Sequence, residues 1–131
     1  MIEVEELDFT YPKAEAQTLF GLSFEVAKGE VFGLLGPSGA GKSTTQSILT
    51  GLRRDYRGRV GLMGKPLGEW GSALYREIGV SFELPNHYLK LTARENLEYY
   101  RRIYGEAART VEECMSLVGL EEDDIDKRVA D

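Results

Sequence analysis

The sequence predicts an α/β fold in which a three-layer core carries a small antiparallel β layer and the start of a helical arm. Three patterns lead to this fold class. Apolar and polar residues alternate over residues 2–11 and 22–26, two short runs at 31–35 and 78–82 are almost wholly apolar, and a helical pattern begins at Lys42. Alternation is typical of half-buried strands, whereas a continuous apolar run is typical of a parallel strand covered on both faces.

The antiparallel layer is predicted from three strands. In the first, residues 2–11, Leu7, Phe9 and Tyr11 share one face. The second strand alternates over residues 22–26, and a turn with Gly29 closes it. Residues 58–64 then predict a short strand between glycine turns, which pairs in the same layer.

The core is predicted from the segments around a glycine-rich loop. Residues 31–35 form the buried strand before the loop, and residues 42–52 form the helix after it, with Leu52 on its apolar face. A second helix, capped by Ser72, reaches Ile78 and leads into the second buried strand, residues 78–82.

The helical arm is predicted from capping signals. Thr92 and Glu95 fit a capping box, and the helix that they open stops at Gly105. Residues 107–118 predict a further helix, and the acidic stretch 121–126 is expected to be solvated.

These elements divide a single, partial domain of 131 residues into three parts. The antiparallel layer takes approximately residues 1–30 and 56–66, the core takes 31–55 and 72–83, and the arm takes 84–131.

Composition narrows the possible functions. Apolar residues make up 42% and charged residues 29%, which is ordinary for a globular domain. The net charge of −6 argues against a nucleic-acid partner, because such a protein needs a basic face. The single Cys114 indicates a reducing, cytoplasmic compartment, and no apolar run is long enough to span a bilayer.

The glycine-rich loop carries the chemistry. It reads Gly36, Pro37, Ser38, Gly39, Ala40, Gly41, Lys42 and Ser43, which fits the P-loop pattern G-x-x-x-x-G-K-[ST] at every position. Glycines let backbone N–H groups approach phosphate oxygens, and the start of the following helix adds unpaired N–H groups. Lys42 supplies a cation for the β- and γ-phosphates and is a candidate catalytic residue, because it would neutralise charge during phosphoryl transfer. The Ser43 hydroxyl is a ligand for Mg²⁺.

A P-loop alone does not separate ATPases from GTPases and small-molecule kinases. A GTPase needs an Asn-Lys-x-Asp segment that reads guanine, and neither Asn86 nor Asn96 begins one. Residues 55–58 match the short GTPase pattern D-x-x-G, but a polar turn after the helix explains them better.

The loop and the segments around it together make the whole chain resemble the ATP-binding subunit of an ATP-binding-cassette (ABC) transporter. Six segments carry the resemblance in family order: residues 7–11, 22–30, 36–52, 58–64, 78–85 and 91–97. The resemblance implies a P-loop NTPase three-layer sandwich that binds ATP and Mg²⁺. It also implies that Tyr11 stacks on adenine and that Thr44 joins residues 36–43 in holding the nucleotide.

The resemblance further implies partners and a location. A second ATP-binding subunit would close over the nucleotide in a homo- or heterodimer, and a transmembrane permease subunit would dock on the helical arm. The protein would then be cytoplasmic and peripheral on the inner face of the cell membrane. Within this scheme the full-length protein is an ATP hydrolase that powers movement of a substrate across the membrane.

Two departures from the family pattern bear on catalysis. Glu83 stands where the family has a glutamine that touches Mg²⁺ or the attacking water; a carboxylate also binds Mg²⁺, so Glu83 is a candidate metal ligand and catalytic residue. The signature sequence and Walker B carboxylates of the family would follow Asp131, and the Walker-B-like residues 117–122 are better explained as a helix end. The chain is therefore expected to end before these motifs, and to bind ATP but hydrolyse it poorly.

Two other functions use the same loop. One is a soluble ABC-type ATPase of DNA repair or translation, against which the acidic charge counts. The other is a nucleotide-binding assembly module without turnover, which the missing Walker B carboxylates would fit.

Overall fold

The computed structural model describes residues 1–82, 84, 87–105 and 108–129, and these form two compact units. Unit one spans Met1–Val80 and unit two spans Ser81–Asp131. None of the helices among the described residues is long and apolar enough to cross a membrane. The strands are β1 (Ile2–Phe9), β2 (Leu19–Val26), β3 (Arg57–Leu62) and β4 (Lys65–Pro66); the helices are α1 (Lys42–Leu49), α2 (Leu74–Glu77), α3 (Ala93–Tyr104), α4 (Val111–Leu117) and α5 (Glu122–Ile125).

The strands of unit one form an antiparallel sheet in the order β2-β1-β3-β4. Central strand β1 places Ile2 opposite Val26 of β2 on one side and opposite Leu62 of β3 on the other. The predicted strands at residues 2–11, 22–26 and 58–64 are thus confirmed, although β1 ends at Phe9, before Tyr11, and β2 starts earlier, at Leu19.

A β-bulge in β1 changes which residues face the core. Val4 and Leu7 are both buried although they are three residues apart, because the ladder gains one residue between them. Glu6 takes a left-handed φ of 49° there and donates its N–H to the Ser23 hydroxyl at 2.9 Å. Gly58 on β3 lies against the bulge, where a Cβ would collide with the Glu6 carbonyl.

The core of unit one joins the sheet to α1. Ile48 of α1 is fully buried against the apolar face of the sheet, together with Leu7. The other buried members of this cluster are Val4, Phe9, Leu19, Val60, Leu62, Leu67 and Leu74. Burial of Ile48 therefore fixes α1, and the loop before it, against the sheet.

The prediction that residues 31–35 and 78–82 form buried strands is wrong. Both segments lie outside the sheet, with Val31 99% exposed and Phe82 53% exposed. A parallel strand needs hydrogen-bonded neighbours, and no strand of the described residues pairs with either segment. Phe32 nevertheless stacks on Phe24 of β2, with ring centroids 5.0 Å apart.

Helix α1 is shorter than predicted. It ends at Leu49, and Gly51 follows with a left-handed φ of 73°, as expected for a glycine near a helix end. Leu52 lies beyond this turn and is 59% exposed, so its placement on the buried face is wrong. The predicted helix over residues 72–78 is confirmed only as a 3₁₀ turn followed by the single turn of α2, and the predicted Ser72 cap is wrong because Ala73 is the N-cap of α2 and no side chain caps either turn.

Unit two contains two helices that begin with capping boxes. The predicted box of Thr92 and Glu95 opens α3, which ends at Gly105 as expected. A second box, Thr110 with Glu113, opens α4, so this helix begins at Val111 and not at the predicted residue 107, which lies outside the described residues.

The acidic stretch at residues 121–126 is not wholly solvated. It contains α5, and Ile125 is buried against Val111 and Met115 in the core of unit two. The expectation was wrong at Ile125 because one apolar residue among acids gives too little periodicity to predict a buried face.

The Asn96 side chain forms hydrogen bonds with the backbone at and before the start of α3. It is buried, its Nδ2 donates to the Tyr88 and Thr92 carbonyls at 3.1 and 2.9 Å, and its Oδ1 accepts from the Tyr88 N–H at 2.8 Å. A neutral amide with both a donor and an acceptor is needed to satisfy this set.

Asn96→Asp should therefore destabilise the protein by about 1–3 kcal/mol, because the change keeps the acceptor but turns a carboxylate oxygen toward two carbonyls. Urea denaturation followed by circular dichroism measures the effect. An unchanged unfolding midpoint would contradict the structural role of the amide.

Candidate phosphate-binding site

The structure places the glycine-rich loop directly at the start of α1. Residues 36–40 are all exposed, whereas Gly41 is buried. The Ala40 N–H donates to the Pro37 carbonyl at 3.2 Å, which closes a turn within the loop. Residues 36–40 of the predicted phosphate-binding set therefore form one accessible loop before α1.

Gly41 is a position that strongly favours glycine. Its φ is 84°, in the left-handed region, and a Cβ there would overlap the Leu19 side chain and lie 3.3 Å from the Thr18 carbonyl oxygen. Gly39 also has a left-handed φ, of 81°, but in open space. The chain thus turns sharply beside the start of β2 and enters α1 directly.

The N-terminus of α1 is suited to an anion. Gly41 is the N-cap, no side chain caps the helix, and the first turn holds no acidic residue. The first N–H that bonds back to the helix start is that of Thr45, which donates to the Gly41 carbonyl at 2.8 Å. The preceding amides have no helical partner of their own and carry the positive end of the helix dipole.

Lys42 puts a positive charge inside the loop. Its Nζ donates to the Gly36 and Pro37 carbonyls at 2.8 and 2.7 Å. An ammonium group has three donors, so one remains for a phosphate oxygen. The lysine thus both shapes the loop and supplies its charge.

The exposed Ser43 lies beside Lys42 at the edge of an open cavity of about 430 Å³. Apolar side chains that include Phe24 and Phe32 line the rest of this cavity, together with Glu30. The Glu30 carboxylate accepts the Ala27 N–H at 2.7 Å and so has a structural role of its own.

Tyr11 lies against the start of α1. The Tyr11 and Thr44 hydroxyls share a hydrogen bond of 2.9 Å, and Thr44 itself is buried. The Tyr11 ring packs edge-to-face with Phe9 at 4.9 Å between centroids, yet the residue remains 36% exposed. The structure thus brings Tyr11, predicted as the adenine platform, into direct contact with the helix that follows the P-loop.

Arg53 is a neighbour of this site that sequence reasoning missed. Its guanidinium carbon lies 4.4 Å from the centroid of the Tyr11 ring. A basic residue in a polar turn after a helix gives no pattern from which a contact with Tyr11 can be predicted. Glu83, predicted at the metal site, lies outside the described residues.

The site combines features that suit a polyphosphate. The backbone at Gly41 leaves no room for a side chain, the helix start is uncapped, and a lysine ammonium lies within the loop. A hydroxyl, from Ser43, is present for a hard cation such as Mg²⁺.

A glycine turn, an uncapped helix and a loop lysine, set on an α/β scaffold, define a P-loop protein. The sequence matches the ABC transporter family over residues 19–131, and the chain belongs to that family.

Two relatives and one solved structure illustrate the match. A fluoroquinolones export ATP-binding protein of Mycobacterium tuberculosis is 50% identical over 123 residues, which cover 94% of this chain and 41% of that protein. The linearmycin resistance ATP-binding protein LnrL of Bacillus subtilis is 37% identical over 131 residues, or 97% of this chain and 42% of that protein.

The solved structure is that of the ATP-binding cassette MJ0796, a dimer in a post-hydrolysis state bound to ADP and Pi. It superposes with a TM-score of 0.79 at 25% identity and covers 98% of this chain and 61% of that chain. The P-loop NTPase fold class predicted from the sequence is thereby confirmed. This chain spans about two fifths of the length of the two relatives.

Gly41→Ala should destabilise the protein more than Gly29→Ala, because both glycines have a φ of 84° but only Gly41 has a neighbour within 4 Å of an added Cβ. The backbone strain, about 1–3 kcal/mol, is common to both variants, and the clash with Leu19 is added only at Gly41. Thermal unfolding and calorimetry with inorganic triphosphate measure stability and binding. Equal losses for the two variants would show that Leu19 yields to the new methyl group.

Proposed function

We propose that the chain binds ATP with Mg²⁺ at residues 36–44, as the N-terminal part of an ATP-hydrolysing subunit that powers export through a membrane partner. The observation that carries this proposal is the combination at one loop of the left-handed Gly41, the uncapped start of α1 and the Lys42 ammonium. Each of the three favours a bound polyphosphate.

Different residues of the loop would contact the phosphates and the Mg²⁺ ion. The backbone amides at the start of α1 would receive phosphate oxygens, and Lys42 would turn its remaining donor toward the β- and γ-phosphates. Mg²⁺, when bound, neutralises phosphate charge, and the Ser43 hydroxyl would serve as its protein ligand. Glu83 is proposed as a second ligand from the chemistry of its carboxylate and its place in the sequence.

Adenine would stack on Tyr11. The ring keeps an exposed surface, and its hydroxyl contacts Thr44 on the helix whose start would hold the phosphates. Tyr11 therefore connects the base to the phosphate loop, so that a nucleotide spanning both would be recognised as a unit.

Hydrolysis and transport belong to a larger assembly. The names of the two relatives speak of export of fluoroquinolones and of resistance to linearmycin, and these names support export as the direction of transport. A dimer of ATP-binding subunits, as in the solved MJ0796 structure, would enclose the nucleotide, with a permease subunit placing the assembly at the inner face of the membrane. The 131 residues alone would bind ATP and hydrolyse it slowly.

Lys42→Ala should weaken Mg·ATP binding by on the order of tenfold to a hundredfold, because a charge-assisted hydrogen bond to phosphate contributes about 1.5–3 kcal/mol. Isothermal titration calorimetry of the purified protein measures the affinity, and Lys28→Ala, which removes a charge outside the loop, is the matched control. Undiminished affinity in Lys42→Ala would refute the proposed phosphate site.

Tyr11→Ala should weaken ATP binding while leaving inorganic triphosphate binding nearly unchanged, because base–aromatic stacking contributes about 1–3 kcal/mol. Tyr11→Phe keeps the ring and loses only the hydroxyl contact with Thr44, so it should retain most of the affinity for ATP. Competition titrations with the two ligands separate the effects. Equal losses for ATP and triphosphate in Tyr11→Ala would count against stacking.

A further inference from the structure

Arg53 lies over an aromatic ring of the proposed site. Its guanidinium carbon is 4.4 Å from the Tyr11 ring centroid and 5.3 Å from that of Phe9. Both distances are within the range of a cation–π contact, and arginine can also stack its flat guanidinium on a ring. The Arg53 N–H donates to the Ser47 carbonyl at 3.0 Å, which anchors the residue to the end of α1.

An ion pair with a carboxylate of the described residues does not explain this position. Within the part of the chain that the structure describes, Arg59, Arg94 and Arg101 each lie within 4 Å of an acidic side chain, but Arg53 does not. The half-buried Arg53 side chain is thus placed by the rings of Tyr11 and Phe9.

Three contacts hold the Tyr11 ring. Phe9 packs against it edge-to-face, Thr44 bonds to its hydroxyl, and the Arg53 guanidinium covers one of its faces. With 36% of the residue still exposed, a flat ligand has surface left to contact. A ring that is held before binding loses less conformational entropy when the ligand stacks on it.

We propose that Arg53 is a positioning residue for the nucleotide base: it stacks on one face of Tyr11 and orients the ring so that the opposite face receives adenine. This inference rests on the proposed function and adds a selectivity residue to that site. Because Arg53 acts through the ring, its contribution depends on the base and on Tyr11. Inorganic triphosphate, which has no base, gains little from it.

The test compares Arg53→Met with the wild-type protein by calorimetry in Mg²⁺ at physiological ionic strength, with ATP and inorganic triphosphate as ligands. Methionine keeps an unbranched apolar stem and removes the flat cation. ATP affinity should fall about two- to fivefold, the equivalent of one cation–π contact, while triphosphate affinity stays unchanged. Arg53→Lys should restore part of the loss, because it keeps the charge but not the planar stack.

Two controls separate positioning from simple charge or folding effects. Arg54→Met removes the same charge one residue along the chain and should leave both affinities unchanged. In a Tyr11→Ala background, Arg53→Met should cause no further loss of ATP affinity, because the ring through which Arg53 acts is gone.

Several outcomes would overturn the inference while the proposed function stands. These are an unchanged or tighter affinity for ATP in Arg53→Met, equal losses for ATP and triphosphate, or the same loss in Arg54→Met. Tighter binding in particular would mean that the guanidinium occupies the face that adenine needs. The proposed function fails separately, when Lys42→Ala binds Mg·ATP as well as the wild-type protein does.

Discussion

The absence of a side chain at Gly41 is the constraint on which the phosphate loop depends. At this residue the chain turns left-handed against Leu19, the first residue of β2, and enters α1 at once. A Cβ here would meet the Leu19 side chain and the Thr18 carbonyl oxygen, so either the Leu19 side chain or the loop would have to move. Because Ile48 holds the same helix in the core beside Leu7, the helix start has a fixed position relative to the sheet. Amides that are positioned before the ligand arrives bind an anion without the cost of ordering them.

The core and the site are parts of one continuous set of contacts. Phe9 belongs to the buried cluster, its ring packs against Tyr11, and the Tyr11 hydroxyl bonds to Thr44 on α1. The proposed base platform is therefore an extension of strand β1 beyond its last paired residue, and is not a free loop. Arg53 completes the arrangement from the other end of α1. A single helix thus positions the amides proposed to bind phosphate at its start and the Arg53 guanidinium just past its end.

The sequence was sufficient to predict features that depend on local chemistry. The glycine–lysine loop, the capping box at Thr92 and the stop at Gly105 each follow from backbone geometry or from unpaired N–H groups, so neighbouring residues specify them. Features that depend on distant partners could not be predicted in this way. Residues 31–35 have the composition of a buried strand, but pairing needs neighbours that the described residues do not provide. The contact of Arg53 with Tyr11 joins residues 42 positions apart and leaves no periodic signal.

The acidic net charge does not oppose binding of an anionic nucleotide, because the charges close to the loop affect a bound phosphate more strongly than distant charges do. Fixed charges in water are screened over about 8 Å at physiological ionic strength, so most of the net charge of −6 is not felt at the loop. At the loop itself, the first turn of α1 has no acidic residue, and the Lys42 ammonium lies within hydrogen-bonding distance of two loop carbonyls. The N-terminal end of the helix dipole is also positive and so adds to the charge of Lys42. Glu30 lines the neighbouring cavity, but its carboxylate is engaged by the Ala27 N–H. A chain that is acidic as a whole can therefore still place the Lys42 charge and the positive end of the α1 dipole at the proposed phosphate site.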